Sequence, residues 1–229
     1  FIYGEPKTHT GMLLSSEVGD LMSLHAGFTR GWDTWESQIG NDHLSFLGGI
    51  EMHTPSRNTS LGFAISSGQE LTIFGESHNR TVYSLVFSHR FNDRLQYVLQ
   101  HDLGCQVDGA ADTAIGNNLI DANWYSVVNY LYYQINDCLA FGARYEIFWD
   151  PQHYAVLGVP FENVWAGDHL EDVTLGFNWA PISCLTVRPE VRWDWSNIFG
   201  TGQSQFQGMY KDFTAKNQFT IGVDAVLCY

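Results

Sequence analysis

The sequence is poor in charge and in proline, and it has no apolar run long enough to span a membrane as a helix. Charged residues make up 16% of the 229 residues, against about a quarter in an ordinary soluble domain. No window approaches 18 consecutive apolar residues, which excludes a transmembrane helix. Lys and Arg number 11 against 25 Asp and Glu, for a net charge of −14. With no basic cluster, nucleic acid is excluded as a partner. The four cysteines form neither a C-x-x-C pair nor a haem-attachment motif, which leaves zinc-ribbon, redox and c-type haem readings without support, and no cofactor is expected. The opening Phe1-Ile2-Tyr3 carries no basic stretch and no cleavage site, so a mature chain or a fragment is expected.

What is abundant is glycine (22 residues) and aromatic residues (15%). The hydrophobic pattern has period two. Phe219, Ile221, Val223, Ala225, Leu227 and Tyr229 share one face of the last segment, and Gln218, Thr220, Gly222, Asp224 and Cys228 share the other. Leu185, Val187, Val191, Trp193 and Trp195 alternate with Thr186, Arg188, Glu190, Arg192 and Asp194. The same holds for Leu139 to Trp149 and for Val173 to Trp179. Alternation of this kind predicts strands with one apolar face.

Eleven strands are expected, over 11–16, 21–31, 43–53, 59–67, 81–91, 94–104, 120–134, 138–149, 171–180, 184–196 and 216–229. Most have the length of a tilted membrane-crossing strand. The 120–134 strand alternates least well, because Val127 and Leu131 fall on its polar face. The connections alternate between short (17–20, 54–58, 92–93, 135–137, 181–183) and long (32–42, 68–80, 105–119, 150–170, 197–215). That alternation matches the short periplasmic turns and long external loops of an outer-membrane barrel. Asn92-Asp93 and Asn136-Asp137 suit tight turns. The expected fold is all-β, a transmembrane antiparallel up-and-down β-barrel, with residues 1–229 as one domain. Its partner is outer-membrane lipid, and its C-terminus at Tyr229 lies on the periplasmic side. An open edge in lipid is costly and eleven is odd, so either residues 1–10 add a strand or upstream strands are missing.

Three short stretches resemble a known family. Tyr3-Gly4-Glu5-Pro6-Lys7-Thr8-His9-Thr10-Gly11 resembles the G-E-P-x-T-H-T-G segment of the OmpL-like β-barrel porins. Phe28-Thr29-Arg30-Gly31-Trp32-Asp33 is similar to that family's T-x-G-W-D, and Thr220 to Ala225 to its terminal strand. In that family the first motif lies in mid-chain. The resemblance therefore implies that this sequence is the C-terminal part of a larger barrel, of about 14–18 strands, wide enough for an aqueous channel.

By parity, Glu51, Arg90, Arg94, Asp102, Arg144, Glu146, Arg188, Glu190, Arg192, Asp194 and Asp224 point away from lipid. They would line a pore and set up a transverse field, or else neutralise one another in a plugged barrel. Between Leu95 and Val187 there is one basic residue, Arg144, and there are eleven acids: Asp102, Asp108, Asp112, Asp121, Asp137, Glu146, Asp150, Glu162, Asp168, Glu171 and Asp172. This predicts a modest cation preference. Asp168, Glu171 and Asp172 could hold Ca²⁺, although a solvated acidic loop is the favoured explanation. Trp124, Tyr125, Tyr130, Tyr132, Tyr133, Trp149, Trp165, Trp179, Trp193 and Trp195 suit an interfacial girdle or, where they face inward, a sugar-stacking platform. Cys184 and Cys228 are expected to be cross-strand neighbours, as a disulfide or as small residues at a crowded rim.

Three functional readings stay open. The leading one is a porin that passes small hydrophilic solutes or ions, with homo-oligomerisation undecided. The second is a non-conducting scaffold or adhesin. The third is a barrel hydrolase built on Ser88, His89, His101 and Asp102, and parity counts against it by placing the two histidines on the opposite face from the serine and aspartate.

Overall fold

In a computed structural model, residues 4–35, 43–72, 74–112, 118–158, 165–201 and 206–228 are described. Tyr3, Glu162 and Tyr229, which figured in the expectations above, lie outside them. The chain forms β1 (Gly11–Val18), β2 (Met22–Thr29), β3 (Ser45–His53), β4 (Thr59–Leu71), β5 (Ser77–Arg90), β6 (Leu95–Asp112), β7 (Asn118–Asn136), β8 (Leu139–Trp149), β9 (Trp165–Ala166), β10 (His169–Ile182), β11 (Leu185–Ser196), β12 (Phe199–Gly200) and β13 (Asn217–Leu227). Eleven of these make one antiparallel sheet in simple sequence order, and β9 pairs only with β12. Each strand of the sheet bonds to its chain neighbour, as a meander of hairpins must. Among the described residues β1 and β13 do not pair with each other.

All eleven expected strands are present, with two corrections to length. The connection expected at 68–80 is mostly strand, since β4 runs to Leu71 and β5 starts at Ser77. The one expected at 105–119 is mostly strand as well. The β6–β7 ladder continues past a bulge between Gln106 and Ala110 and resumes at Ala110↔Ile120. Small residues, Gly109-Ala110-Ala111, hide this extension because they carry no alternation to read. The tight turns form as their residues require. Asn92 Oδ1 accepts from the amides of Arg94 and Leu95, and Asn136 Oδ1 from that of Cys138, the side-chain turn that Asn favours. Arg94 thereby belongs to the turn and not to the strand.

Cross-strand partners share a face, so the register sorts every side chain. One unbroken row runs Glu17, Ser23, Glu51, Gly62, Val86, Gln100, Val128, Glu146, Asp172, Asp194, Gln218. This is the polar face. The other face carries Leu14, Phe28, Phe46, Leu85, Leu131, Leu175, Trp193 and Ile221, all exposed. Val223 is 70% exposed and, among the described residues, lies against no second sheet or helix. Val127 and Leu131 belong to this apolar face, which settles the register of β7. A continuous apolar surface across eleven strands far exceeds the patches that soluble monomers tolerate.

The core lies on the polar face, at the end of the long connections. Trp124, Phe148, Trp165, Leu170 and Ile198 are buried together, with Trp32, Tyr154, Val156, Leu157 and Met209 packed against them. Gly104, directly opposite Trp124, makes room for that indole, because a Cβ there would sit 2.1 Å from its ring. The segments after β8 and after β11 therefore fold inward over the sheet. Trp124 and Trp165 serve this core and not an interfacial girdle.

Candidate functional site

Beneath the apolar core, the polar face carries a ladder of charge. Asp102 accepts hydrogen bonds from Ser84 (2.7 Å), Ser126 (2.8 Å) and Gln100. One row further from the core, Asp172 is fully buried and accepts from Arg144 at 2.7 Å. Arg144 also pairs with Glu146. Arg192 bridges Asp194 at 2.6 Å and Asp172 at 3.6 Å. Three carboxylates and two guanidinia thus interlock across β8, β10 and β11. Buried carboxylates require such partners, and the arginines supply them from the next row of the same face.

The other expected residues lie on the same face but outside this cluster. Arg188 grips Asp224 with two bonds, at 2.7 and 2.6 Å. Glu190 sits opposite Gly176 and Gly222. Glu51 is solvent-facing and pairs with His53 at 3.2 Å, and Arg90 is exposed at the end of β5. The residue that sequence reasoning misplaced is Asp172. It was grouped with Asp168 and Glu171 for calcium, yet it sits at the centre of the arginine network. Parity with Thr174 was the available signal. Asp168 instead accepts from Asn197 and His169. Those bonds, Asn197's first, hold its carboxyl below the usual range. Glu171 accepts from Tyr145 on the opposite face. The three carboxylates do not converge, and no metal-holding cluster occurs among the described residues.

The segment from Gly4 to Thr10 enters from the long-connection end, where β1 begins, and lies on the polar face. Trp124 donates its indole N–H to the Gly4 carbonyl at 3.0 Å, while Glu5 shares the lining of a small cavity with Asp102. The amides of Lys7 and Thr8 donate to Asp33. Gly4 to Lys7, with Gln100, Asp102, Arg144 and Glu146, encloses a cavity of about 260 Å³. A larger cavity, about 640 Å³, lies below the ladder, between Tyr130, Tyr132, Arg144, Asn178, Arg188 and Asp224.

Cys228 and Cys184 are cross-strand neighbours, joined through the Cys228 amide and the Cys184 carbonyl at 2.9 Å. No disulfide joins them and both thiols are free, which agrees with the alternative of small residues at a crowded rim. His89 bonds Thr59 and stacks on Phe87, and His101 stacks on Tyr83. Both rings occupy the apolar face, opposite Ser88 and Asp102, so the four residues form no catalytic triad. Of the expected girdle, Tyr125 and Trp149 stack at 4.7 Å on the apolar face, whereas Tyr130 and Tyr132 lie on the polar face.

With this geometry in hand, a family model described as "Putative beta-barrel porin-2, OmpL-like" matches residues 1–228. The chain belongs to that family. Its sheet is the wall of an outer-membrane β-barrel of porin type. Among solved structures it is similar to the outer membrane channel DcaP of Acinetobacter baumannii, with a TM-score of 0.64 at 13% identity, covering 93% of this chain and 60% of DcaP. The chain thus spans about three-fifths of that channel's length. The NanC porin gives a TM-score of 0.48 at 10% identity, covering 96% of this chain and 93% of NanC. No curated protein matches the sequence.

Proposed function

We propose that this wall encloses a diffusion pore for small hydrophilic solutes and ions, with a modest preference for cations and with the C-terminus on the periplasmic side. The observation that carries the reading is the contrast between the faces: predominantly apolar and exposed on one, charged and hydrogen-bonded on the other. In lipid the backbone of β1 and β13 must be sealed, by each other or by further strands, since unpaired groups cost several kcal/mol each. Gly4–Lys7 narrows the passage against Asp102, Arg144 and Glu146.

Cation preference follows from the sum of charge on the inner face. Glu5, Glu17, Glu51, Glu70, Asp102, Glu146, Asp172, Glu190, Asp194 and Asp224 outnumber Lys7, Arg80, Arg90, Arg144, Arg188 and Arg192. A wet cleft with excess negative charge concentrates cations. Planar-bilayer recording of the refolded protein tests this. Stepwise currents are expected, with a reversal potential on the cation side under a KCl gradient. Currents with anion-side reversal would remove the preference. Absence of current would favour a non-conducting scaffold or adhesin.

A further inference from the structure

The larger cavity of the inner face has a floor of glycine. Tyr132, Gly142, Gly176, Glu190 and Gly222 form one cross-strand row over β7, β8, β10, β11 and β13. Where neighbouring rows carry Arg144, Thr174, Arg192 or Asn178, this row has mostly no side chain, and the wall recedes. The Tyr132 ring leans over the space that Gly142 leaves. A Cβ at Gly142 would stand 3.7 Å from the ring's Cδ1. One face of the ring is thus backed by the wall, yet the residue remains 44% exposed. Tyr130, two residues away, holds its ring nearly parallel to that of Tyr132, at 6.1 Å and 9°. The Arg144 guanidinium lies over the Tyr130 ring at 5.8 Å, which leaves Tyr132 as the open surface.

The charges around this cavity balance. Arg144 and Arg188 are matched by Glu190 and Asp224, and each arginine is already ion-paired. Such a lining selects neither anions nor cations. It offers fixed hydrogen-bond donors and acceptors beside an apolar ring. The solute complementary to it is neutral, rich in hydroxyls, and flat and C–H-bearing on one side. Resting on the reading that the barrel conducts, we propose that the Tyr132 cavity is a binding subsite for pyranose sugars, one ring stacking on Tyr132 and its hydroxyls meeting Asn178, Glu190 and the Arg188–Asp224 pair. The volume, about 640 Å³, falls within the range of small-molecule sites and accommodates a short oligosaccharide.

The test uses maltotriose as probe, by current blockade in planar bilayers and by isothermal titration in detergent. Wild type is expected to show transient sugar-dependent blocks and saturable heat. Tyr132→Ala is expected to weaken binding about tenfold, the loss that removal of one aromatic stack implies, while Tyr132→Phe keeps most of it. Gly222→Leu fills the cavity without touching Tyr132 and is expected to weaken binding as well. Sorbitol, with the hydroxyls but no ring, is expected to give neither signal. Equal affinity in wild type and Tyr132→Ala would overturn the inference. So would a conducting wild type that maltotriose neither blocks nor warms, and that result would leave the porin reading standing. A wild type without current but with Tyr132-dependent heat would support the subsite and remove the pore.

Discussion

The two faces of the first four strands and of the last four obey different rules. On the apolar face the halves are alike. Leu14, Phe28 and Phe46 are as exposed as Leu175, Trp193 and Ile221, because one lipid environment constrains them all. On the polar face they diverge. β1 to β4 present Ser15, Ser23, His25, Gly49 and Gly62 with solvent-facing Glu17 and Glu51, whereas β8 to β11 carry the interlocked Glu146, Asp172 and Asp194 with their arginines. The folded-in loops sit over the second half and leave the first more open. Lipid fixes the outside uniformly, and the inside is where this chain specialises.

The comparison breaks first where lipid is the judge. Leu175→Arg on the apolar face is expected to cost about 2–4 kcal/mol if that position lies near mid-bilayer. Ser15→Arg, at an exposed position on the inner face of the plainer half, is expected to cost under about 0.5 kcal/mol, as for ordinary exposed substitutions. Denaturant titration in lipid vesicles measures both. Equal costs would mean that the apolar face is not bathed in lipid.

A smaller effect separates the halves from within. Asp172→Ala leaves Arg144 with Glu146 and Arg192 with Asp194. Removing one partner of a dry ion pair costs about 3–5 kcal/mol. Arg144 and Arg192 are 20% and 32% exposed, so water offsets part of that, and about 2 kcal/mol is expected. Glu51→Ala in the plainer half is expected to cost under about 0.5 kcal/mol, since its His53 contact is solvent-facing. A Glu51→Ala loss matching that of Asp172→Ala would erase the distinction between the halves.

Most of the wall could be read directly from the sequence, because alternation is a local signal and the environment on each face is uniform. All eleven strands and the parity of the charged rows follow from it. What escaped depends on distant partners. Ala110, Ala111 and Ala122 are buried, and nothing in a run of small residues announces that. Trp124 looks like a girdle residue until the Gly4 carbonyl and the cavity above Gly104 are known. Asp172 looks like a loop acid beside Asp168 and Glu171 until Arg144 and Arg192 are seen to reach it from neighbouring strands. The folded-in loops carry no periodicity at all, so Tyr154 and Ile198 could not be placed.

Those loops supply the finest difference between the halves, one that depends on pH. Asp150 is fully buried where the chain leaves β8. Its carboxylate accepts from the amides of Tyr154 (2.9 Å) and Val156 (2.8 Å), which pins the loop over the core. Burial pushes its carboxyl above the usual value, and the loop amides only partly oppose this. A raised value means that the folded loop binds the proton more tightly than the unfolded chain does. The associated stability is therefore fully present below the ordinary carboxylate range and is lost as pH rises through the raised value. Amide exchange across residues 151–158, corrected for its intrinsic pH dependence, is expected to show protection falling over that window. Asp150→Asn, which keeps an acceptor but cannot titrate, is expected to flatten the profile. The β3–β4 turn, held by Thr54 and Arg57 without a buried acid, should show no such step. A step of equal size there, or one that persists in Asp150→Asn, would mean that the roof is not held by this carboxylate.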